Sequence, residues 1–199
     1  MKKELIVITG PSCSGKTTLL NELKKEYSIG IPRQITTRQP RKDDNPKLYK
    51  YISVKEFEEL KHEGKFAISS GRHERRYGIF KYDIMKCLEK NNLIAIITSY
   101  KDISKIKKLN IDSKIIVLTF KNIKDIIEER IRNSGKYPNE KDIMQRIKYA
   151  LKEHEEYFSD IKKEADLIVY TDVNDINKTK NLVEKSLKSE RKRELIEKE

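Results

Sequence analysis

The stretch GPSCSGKT, residues 10–17, decides the fold of this 199-residue chain. It matches the pattern G-x-x-x-x-G-K-[ST], in which glycines let the backbone turn its N–H groups around phosphate oxygens. The apolar run LIVIT before it predicts a buried strand, and leucines at helical spacing after it predict a helix. Because this context disfavours an incidental glycine-rich turn, we interpret the stretch as a P-loop that holds a nucleotide triphosphate, with ATP as the expected ligand.

Each residue type in this loop has an expected role. Lys16 reaches the β- and γ-phosphates, and the Thr17 hydroxyl ligates Mg²⁺, so Mg²⁺ with ATP is the expected cofactor. Cys13 occupies one of the variable positions of the pattern. The predicted nucleotide-binding residues are Gly10, Ser12, Ser14, Gly15, Lys16, Thr17 and Thr18.

Beyond the loop, apolar runs alternate with amphipathic helical segments. The runs LIAIIT (93–98) and IIVLTF (115–120) are typical of strands buried on both faces, and LIVY (167–170) predicts a last strand. Asn122 is expected to cap one of the later helices. Strands that alternate with helices predict a three-layer α/β fold with a mostly parallel core sheet.

Composition narrows the class of protein. Hydrophobic residues make up 36% and charged residues 38%, with a net charge of +12, which indicates a folded domain with a basic surface. Nucleic-acid binding stays an open alternative, although no nucleic-acid-binding motif accompanies the charge. The first apolar run is too short for a signal peptide or a membrane span, and two cysteines without metal-ligand spacing suit a reducing compartment. We therefore expect a cytoplasmic protein without membrane contact, and the sequence carries no signal for its oligomeric state.

A second basic segment, TTRQPR at residues 36–41, carries Arg38 and Arg41 around a proline. Two guanidinium groups at this spacing form forks that suit a second phosphate dianion. Tyr49 and Tyr77 each offer a hydroxyl donor. The alternative is a solvated basic loop, which is the usual role of arginine-rich segments in a basic chain.

With these segments the chain resembles the guanylate kinase family. The matches are the P-loop, TTRQPR, YISVKEF at 51–57, Phe66 followed eleven residues later by Tyr77-Gly78, and LIVYTD at 167–172. The resemblance covers about residues 4–185. It implies a P-loop fold with a core of residues 1–31, 83–122 and 148–185, an acceptor-binding insert at about 32–82, a helical lid at about 123–147 and a charged tail at 186–199.

The resemblance implies an ATP-dependent nucleoside monophosphate kinase, with GMP or dGMP as the first expected acceptor. The acceptor phosphate would lie at Arg38, Arg41, Tyr49 and Tyr77, and Asp44 stands where the family has a glutamate. A third arginine of the family's lid is replaced by Ser134, with Arg132 two residues away as a substitute. The implied catalytic residues are Lys16, Arg38, Arg130 and Arg146. No protein nucleophile is needed, so the histidines His62, His73 and His154 are expected at the surface.

Three positions depart from the family. Gln34, Ile68 and Ser99 stand approximately where the family reads guanine with a serine, a glutamate and an aspartate. A carboxylate accepts hydrogen bonds from the guanine N1–H and 2-amino groups, and isoleucine cannot. Gln34 and Ser99 are the predicted substrate-binding residues there, while Asp102 is the nearest carboxylate to the expected metal. Two alternatives therefore stay open: a kinase for another phosphorylated acceptor such as ribose 1,5-bisphosphate, and a non-catalytic guanylate-kinase-like binding module.

Overall fold

The computed structural model describes residues 3–40, 44–72, 75–137, 139–172 and 175–188. In chain order the elements are β1 (Glu4–Thr9), α1 (Lys16–Glu26), β2 (Ile29–Gly30), β3 (Gln34–Thr36), β4 (Tyr49–Tyr51), α2 (Val54–His62), β5 (Phe66–Arg72), β6 (Arg75–Phe80), α3 (Lys81–Lys90), β7 (Leu93–Ile97), a 3₁₀ turn (Tyr100–Asp102), α4 (Ile103–Lys107), β8 (Ser113–Thr119), α5 (Ile123–Asn133), α6 (Glu140–Glu164), β9 (Leu167–Tyr170) and α7 (Ile176–Lys188).

A five-stranded core sheet has the order β2-β7-β1-β8-β9. The pairs β2–β7 and β8–β9 are parallel. All residues of β1 and β8 except the first of each are buried, as expected for central strands covered on both faces. The predicted α/β fold with a mostly parallel core sheet is confirmed.

The helices follow the predicted apolar spacing, but their caps differ from one another. Ser53 caps α2, since its Oγ accepts the Glu56 backbone N–H at 3.1 Å. Asn122 precedes α5 as predicted, yet its side chain makes no capping bond. Its amide instead donates to the Asp125 carboxylate, so the predicted side-chain cap is wrong. No helix in the described part of the chain is long and apolar enough to cross a membrane.

The histidines do not share one environment. His62 is exposed, as predicted, whereas His154 on α6 is half-buried with its ring stacked 4.2 Å from Phe158. The surface prediction is therefore wrong for His154, because apolar neighbours on the helix and on the 3₁₀ turn cover it. His73 lies outside the described residues.

A second, four-stranded sheet has the order β4-β3-β6-β5. Strands β3 and β4 are parallel, whereas β6 is antiparallel to both β3 and β5. The basic composition of RRYGIF concealed β6 from sequence reasoning. One face of this sheet buries Ile35 and Phe66 against Phe57 of α2. Gly78 permits this packing, since a Cβ there would lie 2.5 Å from the Phe66 ring.

The register of this sheet places polar and aromatic residues on its other face. Tyr49 pairs with Gln34, while Tyr51 and Tyr77 each pair with Thr36. Because alternate residues of a strand share a face, these side chains lie on the face opposite Ile35. We call it the tyrosine face.

The chain divides into two compact units. One consists of the described parts of Met1–Leu5, Ser28–Ile96 and Asp102–Ser113, and the other of Ile6–Tyr27, Ile97–Lys101 and Lys114–Glu199. The tyrosine face belongs to the first unit and the GPSCSGKT loop to the second. The predicted boundaries of insert and lid stay predictions.

Candidate active site

The GPSCSGKT loop leaves β1 in a conformation that its glycines require. Gly10 has φ 141° and Gly15 has φ 90°, in the region that favours glycine. A Cβ on Gly10 would lie 1.9 Å from the Leu118 carbonyl oxygen, so the loop backbone passes directly against β8. Gly15 provides no side chain to cap α1. The first N–H groups of this helix therefore suit an anion.

Lys16 crosses its own loop. Its Nζ donates to the carbonyl oxygens of Gly10 at 2.9 Å and Pro11 at 2.5 Å, and lies 3.4 Å from Ser14 Oγ. The ammonium group thus sits among the backbone groups that would surround a triphosphate. The role predicted for Lys16 stays a prediction.

Thr171 supports the loop from the end of β9. Its Oγ1 carries one proton, which it shares between Thr119 O at 3.1 Å and Ser14 O at 3.3 Å, and the side chain is buried. Arg130 on α5 reaches the same turn, where its Nη2 donates to Thr171 O at 2.9 Å and Asp172 O at 3.0 Å. The predicted catalytic residue Arg130 is therefore held by the turn that also contacts the loop. Sequence reasoning missed Thr171, for which no local pattern gives a signal.

The helix α6 contacts the loop through Arg146. Its guanidinium group donates to the Ser12 hydroxyl and lies 5.5 Å from the centre of the Tyr149 ring. Cys13 packs against the apolar cluster formed by α5 and α6, with a left-handed φ of 59°. The structure thus brings two predicted groups, Arg146 and the loop, into direct contact.

Arg38 lies in a cluster on the first unit. Its side chain is 5% exposed, and Asp44 binds it with both carboxylate oxygens, at 2.6 Å from Nη1 and 2.5 Å from Nη2. The guanidinium carbon lies 5.0 Å and 5.6 Å from the centres of the Tyr49 and Tyr51 rings. Tyr51 also donates its hydroxyl to Asp44 Oδ2 at 2.5 Å. Sequence reasoning missed Tyr51, although the alternation of Tyr49 and Tyr51 in YKY placed both on one face.

Charges and burial shift the pKa values of this cluster. The hydrogen bonds to Asp44 raise the pKa of Arg38, so its guanidinium stays charged. Burial is the first cause that raises the pKa of Tyr49 and of Tyr51, so both hydroxyls stay protonated donors at neutral pH. Tyr77 is half-buried on the same face, and Arg41 lies outside the described residues. The cluster thus combines protonated donors with one carboxylate, Asp44, which already accepts from Arg38 and Tyr51.

Comparison with known proteins identifies the relatives of this chain. The guanylate kinase family profile matches residues 2–190. The chain belongs to the guanylate kinase family. It is 29% identical over 199 residues to the guanylate kinase of Clostridioides difficile, covering 94% of this chain and 96% of that one. It is 30% identical over 161 residues to the guanylate kinase of Schizosaccharomyces pombe, covering 78% of this chain and 77% of that one.

A solved structure supports the fold. The crystal structure of guanylate kinase from Anaplasma phagocytophilum superposes with a TM-score of 0.67 at 18% identity, covering 96% of this chain and 87% of that one. Family membership makes the chain an enzyme of the kinase class. The predicted family, fold and enzyme class are therefore confirmed.

The kinase offers few protein ligands to a metal ion. Thr17 is exposed on the first turn of α1, so its hydroxyl is accessible. Among the residues that the structure describes, no group of three or more His, Cys, Asp or Glu side chains could hold a metal. Mg²⁺ usually keeps several waters and binds through substrate phosphates, so a single threonine hydroxyl fits this ion. When bound, Mg²⁺ would neutralise charge on the triphosphate.

Asp102 is not placed as an open metal ligand. It is 1% exposed, and Lys105 donates to its Oδ1 at 2.9 Å. The same ammonium group donates to Ser69 O at 2.6 Å, so the pair fastens α4 to the edge strand β5. Asp102 therefore has a structural partner in the first unit.

The three diverged positions have different environments. Ile68 is 3% exposed and pairs with Ile79 between β5 and β6, so it is a packed apolar residue. Gln34 is half-buried on the tyrosine face, and Ser99 is buried just after β7. Asp44, which belongs to the first unit, carries a carboxylate, but that carboxylate is already bonded to Arg38.

Arg132 does not replace the missing lid arginine in this conformation. Its Nε donates to Glu128 at 2.8 Å, and its two terminal nitrogens donate to Glu140 at 2.7 Å and 2.6 Å. These carboxylates raise the pKa of Arg132 and orient its side chain along the surface. Ser134 donates to Ile131 O at 2.7 Å and so ends α5.

Proposed function

We propose that this kinase transfers the γ-phosphate of ATP to the phosphate of a nucleoside monophosphate, with GMP or dGMP as the acceptor to test first. The observation that supports the proposal is that one chain holds two separate groups of donors that suit phosphate. The first is the GPSCSGKT loop with Lys16, and the second is Arg38 among the tyrosines. A phosphotransferase that joins two phosphorylated substrates needs both.

The ATP side uses the backbone of the loop. The N–H groups around Ser12, Ser14 and Gly15 and the first turn of α1 would surround the phosphates, with Gly10 and Thr18 at the two ends of this cradle. Lys16 would exchange its carbonyl partners for phosphate oxygens. Thr17 would hold Mg²⁺.

The acceptor side uses the tyrosine face. Arg38 and Arg41 would bind the acceptor phosphate, with hydroxyl donors from Tyr49 and Tyr77. Gln34 and Ser99 would contact the rest of the acceptor. Apart from Ser99, these residues belong to the acceptor-binding insert expected at about 32–82.

Transfer itself needs positive charge more than a protein nucleophile. An acceptor phosphate oxygen, ionised at neutral pH, attacks the γ-phosphorus, and the bond to ADP breaks. Arg130 and Arg146 would stabilise the charge on the transferring group. Movement of the segment 123–147 would exclude water, so that ATP is not hydrolysed.

A second candidate function follows from Ile68. The family resemblance aligns Ile68, which is buried on β5, with a carboxylate that accepts from guanine, and an isoleucine cannot accept. A phosphorylated acceptor without guanine, such as ribose 1,5-bisphosphate, would not require that carboxylate.

A non-catalytic binding module is the third candidate, and the intact loop with its Lys16 contacts disfavours it.

The cellular setting belongs to the same proposal. The free cysteines, Cys13 and Cys87, suit a reducing compartment. We therefore place the kinase in the cytoplasm, with ATP and a phosphorylated small molecule as its partners.

The test is a panel of acceptors. The kinase is incubated with Mg·ATP and, separately, GMP, dGMP, AMP, CMP, UMP, IMP and ribose 1,5-bisphosphate, and ADP release is measured. We expect the largest signal with GMP or dGMP. ADP release with ribose 1,5-bisphosphate alone would identify that sugar phosphate as the acceptor instead of GMP. If none of the acceptors caused ADP release, the non-catalytic binding module would be favoured.

A further inference from the structure

We propose that Cys13 is a positioning residue that couples the GPSCSGKT loop to the helices α5 and α6, so that a triphosphate bound in the loop sets the places of Arg130 and Arg146. The inference rests on the proposed function in one respect, since it takes the loop as the triphosphate site. It does not depend on which acceptor receives the phosphate.

Cys13 has a backbone conformation that suits glycine better than cysteine. Its φ is 59°, in the left-handed region where a Cβ crowds a neighbouring carbonyl oxygen. A residue with a side chain keeps such a conformation when the surrounding structure holds it in place. The side chain of Cys13 therefore needs contacts that hold it.

Those contacts come from an apolar group of residues on α5, on α6 and at the end of β8. We call it the α5–α6 cluster, and its buried members are Phe120, Ile127, Ile131, Ile147 and Ala150. Cys13 is half-buried and packs against this cluster. A thiol behaves in such surroundings as a small apolar side chain. The loop is thus attached to the two helices through packing as well as through Arg146.

The same cluster fixes the two arginines that are predicted to be catalytic. Arg130 directly precedes Ile131, and Arg146 directly precedes Ile147. The guanidinium carbon of Arg130 also lies 5.7 Å from the centre of the Phe120 ring. A displacement of the cluster therefore moves both guanidinium groups.

Two neighbouring residues of the loop contact these helices in different ways. The Ser12 hydroxyl accepts from the Arg146 guanidinium, and Cys13 packs against the α5–α6 cluster. Closely packed side chains transmit a displacement because they have few alternative arrangements. A triphosphate that orders the loop would therefore order α5 and α6 as well. In the same way, movement of the segment 123–147 would displace Cys13.

The test compares Cys13→Gly and Cys13→Ala with Cys87→Ala. Glycine removes the packing contact and suits the left-handed backbone, whereas alanine keeps the Cβ. Cys87 is the matched control, because it is the other cysteine of the chain, is also half-buried, and lies on α3 in the first unit. Hydrogen–deuterium exchange of α1, α5 and α6 is measured with and without Mg·AMP-PNP, and calorimetry gives the Kd of Mg·AMP-PNP.

In the wild type we expect Mg·AMP-PNP to slow the exchange of α1, α5 and α6 by about tenfold. In Cys13→Gly the slowing should persist in α1 but fall below about threefold in α5 and α6, because the cluster no longer follows the loop. The Kd of Mg·AMP-PNP should stay within about threefold, since the backbone of the loop and Lys16 are kept. Cys13→Ala should give an intermediate result, and Cys87→Ala should match the wild type.

Turnover and thermal stability separate positioning from general packing. With the acceptor that the panel identifies, kcat should fall by about tenfold in Cys13→Gly and by about threefold in Cys13→Ala, because misplaced arginines stabilise the transferring charge less well. The acceptor KM should change by less than about twofold. The Tm of Cys13→Gly should equal or exceed that of Cys13→Ala, since glycine relieves the left-handed backbone. A fall in kcat that follows a fall in Tm across the variants would indicate general packing and contradict the proposal.

Three results of the exchange measurement would also overturn the inference. Slowing of α5 and α6 in Cys13→Gly that equals the wild type would show that coupling does not pass through Cys13. Equal losses of slowing in α1, α5 and α6, with a matching rise in Kd, would show that Cys13 only shapes the loop. If Cys13→Gly does not fold, Cys13→Ala decides, and wild-type slowing in a folded Cys13→Ala protein contradicts the proposal.

The exchange measurement needs no acceptor, so it separates this inference from the proposed function. Protein that phosphorylates no member of the panel but shows slowing of α5 and α6 that depends on Cys13 would refute the proposed acceptors and support the role of Cys13. Wild-type protein that binds Mg·AMP-PNP without any response in α5 and α6 would refute the role of Cys13 alone. Wild-type protein that does not bind Mg·AMP-PNP would refute both.

Discussion

The GPSCSGKT loop and the Arg38 cluster both place a cation where a phosphate is expected, but they hold it differently. Lys16 donates to backbone carbonyls of Gly10 and Pro11, which exist whatever side chains the variable positions carry. Arg38 donates to the side chain of Asp44 and lies over two tyrosine rings. The first arrangement tolerates substitution around the cation, whereas the second depends on particular neighbours.

This difference predicts where the kinase is robust and where it can diverge. A backbone cradle keeps its chemistry as long as the glycines allow its conformation. A side-chain cluster changes its properties with each member. The predictions below test this contrast, in order of decreasing effect.

The largest effect is expected for Lys16→Ala. Removal of the ammonium group takes away charge stabilisation of the transferring phosphate, so kcat should fall by about 1,000-fold or more. ADP release in the acceptor assay measures it, and circular dichroism with thermal melting checks that the fold is kept. Retained turnover in a folded variant would show that the loop does not act in catalysis.

The next effect is expected for Arg38→Lys, which keeps the charge but loses the planar fork. Lysine cannot bind Asp44 and a phosphate with two pairs of parallel bonds, so the acceptor KM should rise by about 30- to 100-fold. The ATP KM, from the same steady-state kinetics, should stay within about threefold. An unchanged acceptor KM would indicate that TTRQPR is a solvated loop that does not bind the acceptor. The comparison of two phosphate sites would then not hold.

A smaller effect is expected for Thr171→Val, which tests whether side chains also support the backbone cradle. The nearly isosteric change removes the hydroxyl that donates to Ser14 O and Thr119 O. ATP affinity, measured by calorimetry, should fall by about tenfold while the acceptor KM stays unchanged.

Thr179→Val is the matched control, because Thr179 on α7 is buried and its hydroxyl donates to Asp175 O, four residues earlier in the chain. If both variants bound ATP like the wild type, the loop would hold its shape through its backbone alone. That result would sharpen the contrast with Arg38.

The smallest effect concerns His154 on α6, the helix that brings Arg146 to the loop. Burial lowers the pKa of His154 in the folded state. The unfolded chain therefore binds the proton more tightly, so His154 contributes stability above about pH 6.5 that is lost as the pH falls through the lowered folded pKa. When the pH is lowered from 7.5 to 5.5, the Tm of His154→Gln should fall by about 1–3 °C less than the Tm of the wild type.

His62→Gln is the control for this pH series, because His62 is exposed on α2. Its melting temperature should follow the wild type at each pH in calorimetric scans. Identical pH profiles for all three proteins would mean that the buried ring of His154 does not contribute to acid sensitivity.

Much of the core was predictable because its signals are local. Continuous apolar runs marked β7 and β8, and leucine spacing marked α1, since burial on both faces or on one stripe imposes these periods. The strand β6 escaped prediction because RRYGIF gains its stability from pairing with β3 and β5 rather than from an apolar pattern. Its Tyr77 was predicted as a hydroxyl donor although the strand that carries it was not predicted.

The candidate site divides in the same way. Sequence alone determined the loop, because a glycine pattern between a strand and a helix states the backbone conformation and the place of Lys16 directly. Only the tertiary structure decided that Asp44 and Tyr51 enclose Arg38 and that Thr171 supports Ser14. The contacts of Asp44 and Tyr51 depend on strand register. The contact of Thr171 with Ser14 joins residues more than a hundred positions apart in the chain, which no local pattern encodes.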